Sequence, residues 1–212
     1  FADRRRIGTR TRTGRCVWYA TTRVYTSTHP CGCTSDWLVP TACTVPTWHV
    51  EVDPRPHKIE LLGPPHQDVE YLICSACNPK YFDHLKGHKV KLWHVFDPSI
   101  EGLRSLPFGE WAVTGGCDVG LRCLTLAGFL GFREFHVFGL DGCATGQDGE
   151  RHAAHHPNGK QPYAICEYDG KSYYTTPAMM EAARAVFHEL DQMPAVRATF
   201  YGEGLVQAMA RK

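Results

Sequence analysis

The 212-residue sequence has no long apolar run and no excess of either charge. A helix that crosses a bilayer needs about 20 consecutive apolar residues, which no segment approaches, and the N-terminus lacks the apolar core of a secretory signal. The 23 Lys and Arg residues balance 22 Asp and Glu residues, so the charge favours neither nucleic acid nor a membrane as a partner. We therefore expect a cytoplasmic protein that binds small molecules.

Disulfides are a second feature that we expect to be absent. The ten cysteines are scattered along the chain, and Cys123 lies in an apolar run, where a reduced thiol behaves as a small buried hydrophobe. Two close cysteine pairs leave a zinc site open as a less favoured alternative, although a C-x-C pair is unusual for zinc. The four cysteines of that alternative are Cys31, Cys33, Cys74 and Cys77.

Short apolar runs alternate with turns from residue 46 onward. Five runs have the length, the β-branched or aromatic content and the Gly, Pro or Asp boundaries of strands. The predicted strands are 48–53, 69–76, 89–95, 110–114 and 134–141. The predicted helices are 78–87, 118–131 and 176–193. A helix between two strands indicates a parallel crossover, so residues 46–212 are predicted to form one α/β domain.

Residues 1–45 do not share this pattern. They are rich in Thr, Arg and Cys, show no clear period of two or 3.6 residues, and contain no strand followed by a glycine loop and a helix. We interpret them as an atypical N-terminal segment. Their arginines would suit a polyanion, but scattered arginines are more often solvated surface residues.

The carboxyl ends of the predicted strands are where we expect binding. In an open parallel sheet, ligands bind outside these ends, where loops lead into helices. The polar or small residues that follow the predicted strands are therefore candidates. They are Asp53, Ser75, Asn78, His94, Gly115, Gly116, Cys117, Asp118 and Asp141.

The glycine turn at Gly115 and Gly116 stands between a predicted strand and a predicted helix. The two glycines permit close backbone approach, and the N–H groups and dipole of the following helix suit a phosphate. Asp118 offers an alternative, because its carboxylate can cap those N–H groups itself. A glycine turn with an N-cap and no ligand is equally consistent with this stretch.

Two acids and a group of histidines complete the candidates. Glu51 and Asp53 lie two apart on a predicted strand and so face one side, which suits Mg²⁺. The structural alternatives are turn capping by Asp53 or an ion pair with Arg55 or Lys58. The polar segment 150–161 suits a general acid, a phosphate contact or metal ligands, although loop histidines are often only solvent-exposed. Its histidines are His152, His155 and His156.

Five segments of the chain carry a family resemblance. They read WHVEVDPRPHK, YLICSACNPKYFDHLKGHKVKLWH, VTGGCDVGLRCLTLAGFLGFREFHVFGLDG, HAAHHPN and FYGEGLVQAM. Together they resemble the MptE-like family, whose archaeal members are hydroxymethyldihydropterin diphosphokinases. Relatives of that domain occur in bacterial motility accessory factors and in phage genomes.

The resemblance implies a Rossmann-like sheet, similar to that of bacterial sialyltransferases, with helices on both faces and a nucleotide at the strand ends. One departure is clear: the family's first strand runs into a G-x-G-P-S-L type loop, and nothing in residues 1–45 matches it. The resemblance implies Glu51 and Asp53 as the acidic pair for Mg²⁺, Gly115 and Gly116 as nucleotide contacts, and Asp141 as a strand-end acid of the site. The strand-end rule adds Ser75, Asn78, Cys117 and Asp118 for the nucleotide, and the polar segment adds His155 and His156, which with Asp141 are the catalytic candidates.

Three functions follow from this resemblance. The first is transfer of diphosphate from ATP to a hydroxymethyl, pterin-like acceptor, with Mg²⁺ neutralising the phosphates. The second is glycosyl transfer from a nucleotide sugar, in which a histidine assists the leaving phosphate or deprotonates the acceptor. The third is a non-catalytic, phage-associated nucleotide-binding protein that has lost its first phosphate loop. Fold similarity alone cannot rank these chemistries.

Overall fold

The computed structural model describes residues 15–19, 23–26, 47–56, 59–62, 64–116, 118–144 and 163–212. These residues form ten strands and six helices. The strands are β1 (Arg15–Tyr19), β2 (Arg23–Thr26), β3 (Trp48–Glu51), β4 (Glu70–Cys74), β5 (Lys89–Val95), β6 (Ala112–Val113), β7 (Glu134–Phe138), β8 (Ala164–Tyr168), β9 (Lys171–Thr175) and β10 (Arg197–Tyr201). The helices are α1 (Ile59–Leu62), α2 (Lys80–His84), α3 (Ile100–Ser105), α4 (Val119–Phe129), α5 (Pro177–Asp191) and α6 (Leu205–Ala210).

Eight of the strands form one sheet, in the order β10-β7-β1-β2-β3-β4-β5-β6. Strand β2 is antiparallel to β1 and β3, and the other neighbouring pairs are parallel. The chain adds β4, β5 and β6 toward one edge and later adds β7 and β10 toward the other. Right-handed crossovers that run in opposite directions along the sheet place their helices on opposite faces. In agreement with this rule, α1 contacts α2, whereas α4 contacts α5. The predicted α/β class with a mainly parallel, Rossmann-like sheet is confirmed.

The five strands predicted from apolar runs are present as β3 to β7, and the three predicted helices as α2, α4 and α5. Every residue of β3 is buried, and so are Tyr71 to Cys74 of β4. Continuous apolar runs of this kind are typical of central parallel strands covered on both faces. In β7 only Phe135 and Val137 are buried, so one face of that strand packs on the core.

Local sequence signals fix the ends of the two longest helices. Asp118 caps α4 by accepting a hydrogen bond from Leu121 N at 2.9 Å, and Thr176 caps α5 by accepting one from Met179 N at 3.2 Å. At the other end of α4, Gly131 has a φ of 98°. The N–H of Phe132 donates to the carbonyl of Ala127 at 3.1 Å, as in a Schellman motif.

Several elements were not predicted from the sequence. Strands β1 and β2 lie within residues 1–45, where no periodic pattern indicated them, and they join the centre of the sheet. Strands β8 and β9 form a separate hairpin, whose two-residue turn has positive φ at both Asp169 and Gly170, as a type I′ turn requires. No described helix is long and apolar enough to cross a membrane.

Candidate functional site

The parallel strands bring their carboxyl ends to one edge of the sheet. We call β3 to β6 with the loops that follow them the early wing. The late wing is β7, β10, α6 and the hairpin β8–β9. Strands β1 and β2 separate the two wings, so at about 4.8 Å per strand the ends of β3 and β7 stand roughly 14 Å apart. The direction of strand addition reverses between the wings, and ligands of open α/β sheets bind at such a reversal.

The glycine turn of the early wing lies directly against α4. Gly115 has a φ of 133°, and a Cβ there would stand 2.8 Å from Thr125 Oγ1. A Cβ on Gly116 would stand 2.8 Å from a methyl group of Leu121. The Thr125 hydroxyl donates to the carbonyl of Thr114 at 2.7 Å. The glycines therefore have a packing role and Asp118 caps α4. Nucleotide binding at this turn stays a prediction.

Glu51 and Asp53, the predicted metal ligands, already have protein partners. The Glu51 carboxylate accepts hydrogen bonds from the N–H groups of Val52 and Asp53 at 2.8 and 2.9 Å. The Asp53 carboxylate accepts from the backbone N–H and from Nε of Arg55 at 2.9 and 2.8 Å. The hydrogen bond that the Arg55 guanidinium donates to this carboxylate raises the pKa of Arg55. Mg²⁺ would therefore have to displace Arg55 from Asp53.

Cys74 and Cys77 are free and buried at the end of β4. Burial, and after it the nearness of Glu51 and Cys74, raises the pKa of the Cys77 thiol. A protonated thiol is a poor metal ligand and a poor nucleophile. The described residues contain no group of three or more His, Cys, Asp or Glu side chains arranged to hold a metal ion, while Cys31 and Cys33 lie outside the described residues.

Ser75 and Asn78 follow β4, and the structure assigns them different contacts. The Asn78 side chain accepts a hydrogen bond from Lys80 N at 3.1 Å, which is a local contact at the start of α2. Ser75 is exposed, and its hydroxyl lies 2.9 Å from Nδ1 of His94 at the end of β5. The other ring nitrogen of His94 lies 3.6 Å from a carboxylate oxygen of Glu110. The strand-end rule indicated Ser75 and His94, whereas no sequence signal indicated Glu110.

Asp141 lies beyond β7 and is half-buried against the late wing. Its carbonyl accepts a hydrogen bond from Val206 N at 3.1 Å. A Cβ on Gly204 would stand 2.6 Å from both the carbonyl oxygen and the Cβ of Asp141. Burial raises the pKa of the Asp141 carboxyl, and a hydrogen bond with Gln207 opposes that shift. Packing is therefore tight around the Asp141 backbone, and burial shifts the ionisation of its carboxyl toward the protonated form.

Gln207 is the main residue of this setting that sequence reasoning missed. It is buried on α6, and its Nε2 donates to the carbonyl oxygens of Tyr201 at 3.1 Å and Leu140 at 3.4 Å. Its Oε1 has no hydrogen-bond partner among the described residues. A polar residue in the otherwise apolar run GLVQAM was the available signal. His155, His156 and Cys117 lie outside the described residues.

The comparisons with known proteins bear on the fold. No protein-family model and no curated protein matches this sequence. The fold is similar to that of the MAf glycosyltransferase from Magnetospirillum magneticum AMB-1, with a TM-score of 0.53 and 18% sequence identity. The match covers 75% of this chain and 25% of that one. This chain thus spans about a quarter of the larger protein, and the likeness agrees with the fold that the MptE-like resemblance implies.

Proposed function

We propose that this protein is a transferase that takes its group from a nucleotide-activated donor. The donor would lie at the carboxyl edge of the sheet, where the direction of strand addition reverses between the two wings. The observation that carries this proposal is Asp141, an enclosed acid at the end of β7 whose pKa is raised by burial. Such an acid can supply a proton or a hydrogen bond to a leaving phosphate.

Glycosyl transfer from a nucleotide sugar is the reaction that we favour. It needs a proton donor for the leaving nucleotide and a base for the acceptor hydroxyl, and it does not always need a metal. The fold likeness to a MAf glycosyltransferase supports this choice. His155 and His156 remain the proposed acid–base histidines, and Gly115 and Gly116 the proposed phosphate contacts.

Diphosphate transfer from ATP with Mg²⁺ is the second candidate. The observation in its favour is the pair Glu51 and Asp53 at the end of β3, since one or two carboxylates commonly hold Mg²⁺ beside substrate phosphates. This reaction requires Asp53 to release Arg55, to which it is hydrogen-bonded. A metal-dependent change in stability would therefore separate the two candidates.

A thermal-unfolding titration tests both candidates. The purified chain is heated with CMP, UDP or ATP, each with and without Mg²⁺, because a ligand that binds only the folded state raises its apparent stability. We expect an upward shift with CMP or UDP, reduced in Asp141→Ala, which removes the hydrogen-bonding group, and unchanged in the matched variant Asp191→Ala. A shift only with ATP and Mg²⁺, lost in Asp53→Asn, would favour diphosphate transfer. No shift with any nucleotide would contradict the proposal.

A further inference from the structure

Ser75, His94 and Glu110 form a chain of contacts at the carboxyl ends of β4 and β5. Ser75 Oγ lies 2.9 Å from His94 Nδ1. His94 Nε2 lies 3.6 Å from Glu110 Oε2. The His94 side chain is 11% exposed and the Glu110 side chain 57% exposed, while Ser75 itself is exposed. An accessible hydroxyl therefore leads to a nearly buried imidazole, and that imidazole faces a carboxylate.

The order of these contacts sets the direction of proton transfer. The negative charge of the Glu110 carboxylate, 3.6 Å from Nε2, favours the tautomer in which His94 carries its proton on that nitrogen. His94 Nδ1 is then the acceptor, and the Ser75 hydroxyl donates to it. A hydroxyl, a base that takes its proton and an acid that orients the base are the parts of an activated serine nucleophile, which is recognised by geometry and roles.

We propose that Ser75 is a nucleophile that accepts an acyl group from an activated ester. Its Oγ forms a bond to the carbonyl carbon, the bond to the leaving oxygen breaks, and the serine proton passes through His94 Nδ1 to the departing alcohol. Water then attacks the acyl serine, His94 takes its proton, and the acid is released with Ser75 restored. Ser75 is the catalytic residue that bonds to the acyl group, and Glu110 is a positioning residue that acts through His94.

The test uses the whole chain with p-nitrophenyl acetate and no nucleotide, so its outcome is independent of the nucleotide titration. Release of p-nitrophenol is followed by absorbance, and acetylated peptides are located by mass spectrometry. We expect the wild-type protein to release p-nitrophenol faster than Ser75→Ala does. If deacylation is slow, the acetyl group should be found on the peptide that contains Ser75. His94→Gln should lower the rate roughly 100-fold or more, the usual range for loss of a general base.

Three further variants keep the test decisive. Because Glu110 is exposed, Glu110→Gln should fold normally. This variant should lower the rate by about tenfold, and Glu110→Asp should keep part of the lost rate, as expected for a group that orients the base. Ser172→Ala is the matched control, because Ser172 is also exposed but donates to the Glu167 carboxylate rather than to a histidine. If the wild-type rate equals that of Ser75→Ala, or if Glu110→Gln keeps the full rate, the proposal is wrong.

Discussion

The two wings of the sheet hold their acids in opposite ways. Asp97 follows β5 in the early wing, and it accepts a hydrogen bond from Ser99 N at 2.9 Å. Hydrogen bonds from the backbone and side chain of Ser99 lower the pKa of this exposed carboxyl. Asp141 follows β7 in the late wing, where burial raises its pKa. Equivalent places at the ends of parallel strands thus favour the charged form in one wing and the neutral form in the other.

The difference comes from what covers each strand end. In the late wing, α6 and the hairpin β8–β9 close over the loop after β7: Ala144 N donates to Tyr174 O at 2.7 Å, and the Thr175 hydroxyl donates to Gly142 O at 2.9 Å. In the early wing, Ser75 is exposed, and Glu51 and Asp118 satisfy nearby backbone N–H groups with their carboxylates. An enclosed acid is preorganised for chemistry, whereas an acid that caps a turn or helix mainly stabilises the fold.

Gly204→Ala is the variant that should disturb the late wing most. Its added Cβ would meet the Asp141 carbonyl oxygen, the Asp141 Cβ and the Gln207 Oε1, each at 2.6 Å. The backbone oxygen has little room to move, so we expect a loss of about 2–3 kcal/mol in the free energy of unfolding, as for overpacked sites. Urea denaturation monitored by circular dichroism measures this loss.

Gly87→Ala is the matched control for that substitution. Gly87 has open space around it and a φ of 86°, so its substitution changes only the backbone strain, at about 1 kcal/mol. Gly204 lies at a negative φ, so its substitution changes only the packing. Equal losses in the two variants would mean that Asp141 is not tightly enclosed, and the contrast between the wings would fail.

Asp118→Ala should have a smaller effect, and it tests the role of acids in the early wing. The variant loses the acceptor for Leu121 N, which typically costs about 1 kcal/mol of stability. Asp118→Asn keeps a good N-cap and removes only the charge, so we expect its unfolding midpoint in urea to lie close to that of wild type. A large loss in Asp118→Asn would show that the charge itself matters, contrary to a simple capping role.

The sequence predicted the early wing well because its signals are local. The apolar run 89–95 coincides with β5, and Asp118 with Gly131 marks the two ends of α4 by capping chemistry. Strand-end reasoning also placed Ser75, His94 and Asp141 at the correct edge of the sheet. These inferences need only periodicity, caps and the topology of parallel crossovers.

The elements that sequence reasoning missed depend on contacts between distant segments. Strands β1 and β2 lack an apolar period, and they are fixed by pairing with β7 and β3. Gln207 lies 66 positions after Asp141 in the sequence. Only the fold brings the two side chains together. The contact between His94 and Glu110 likewise depends on how two neighbouring strands and their loops pack. Spacing along the chain carries no information about such encounters.

The smallest expected effect, and the most direct test of the contrast between the wings, is the pH dependence of two Asp→Asn variants. Asp141 has a native pKa above its ordinary value of 3.8, so its contribution to stability is fully present below that value and is lost as the pH rises through the native pKa. Asp141→Asn should therefore gain stability relative to wild type at neutral pH, and this gain should disappear in acid.

Asp97→Asn should show the opposite sign. The native pKa of Asp97 lies below its ordinary value, so its contribution is present above 3.8 and is lost as the pH falls through the native pKa. Asp97→Asn should be less stable than wild type at neutral pH, and this difference should disappear in strong acid. Urea unfolding of wild type and both variants across this pH range measures how the difference in stability between each variant and wild type changes with pH. These two slopes are free of any effect of the substitution on packing that does not depend on pH. Slopes of the same sign would mean that the enclosure of Asp141 does not govern its ionisation, and the acid proposed for proton donation would lose its physical basis.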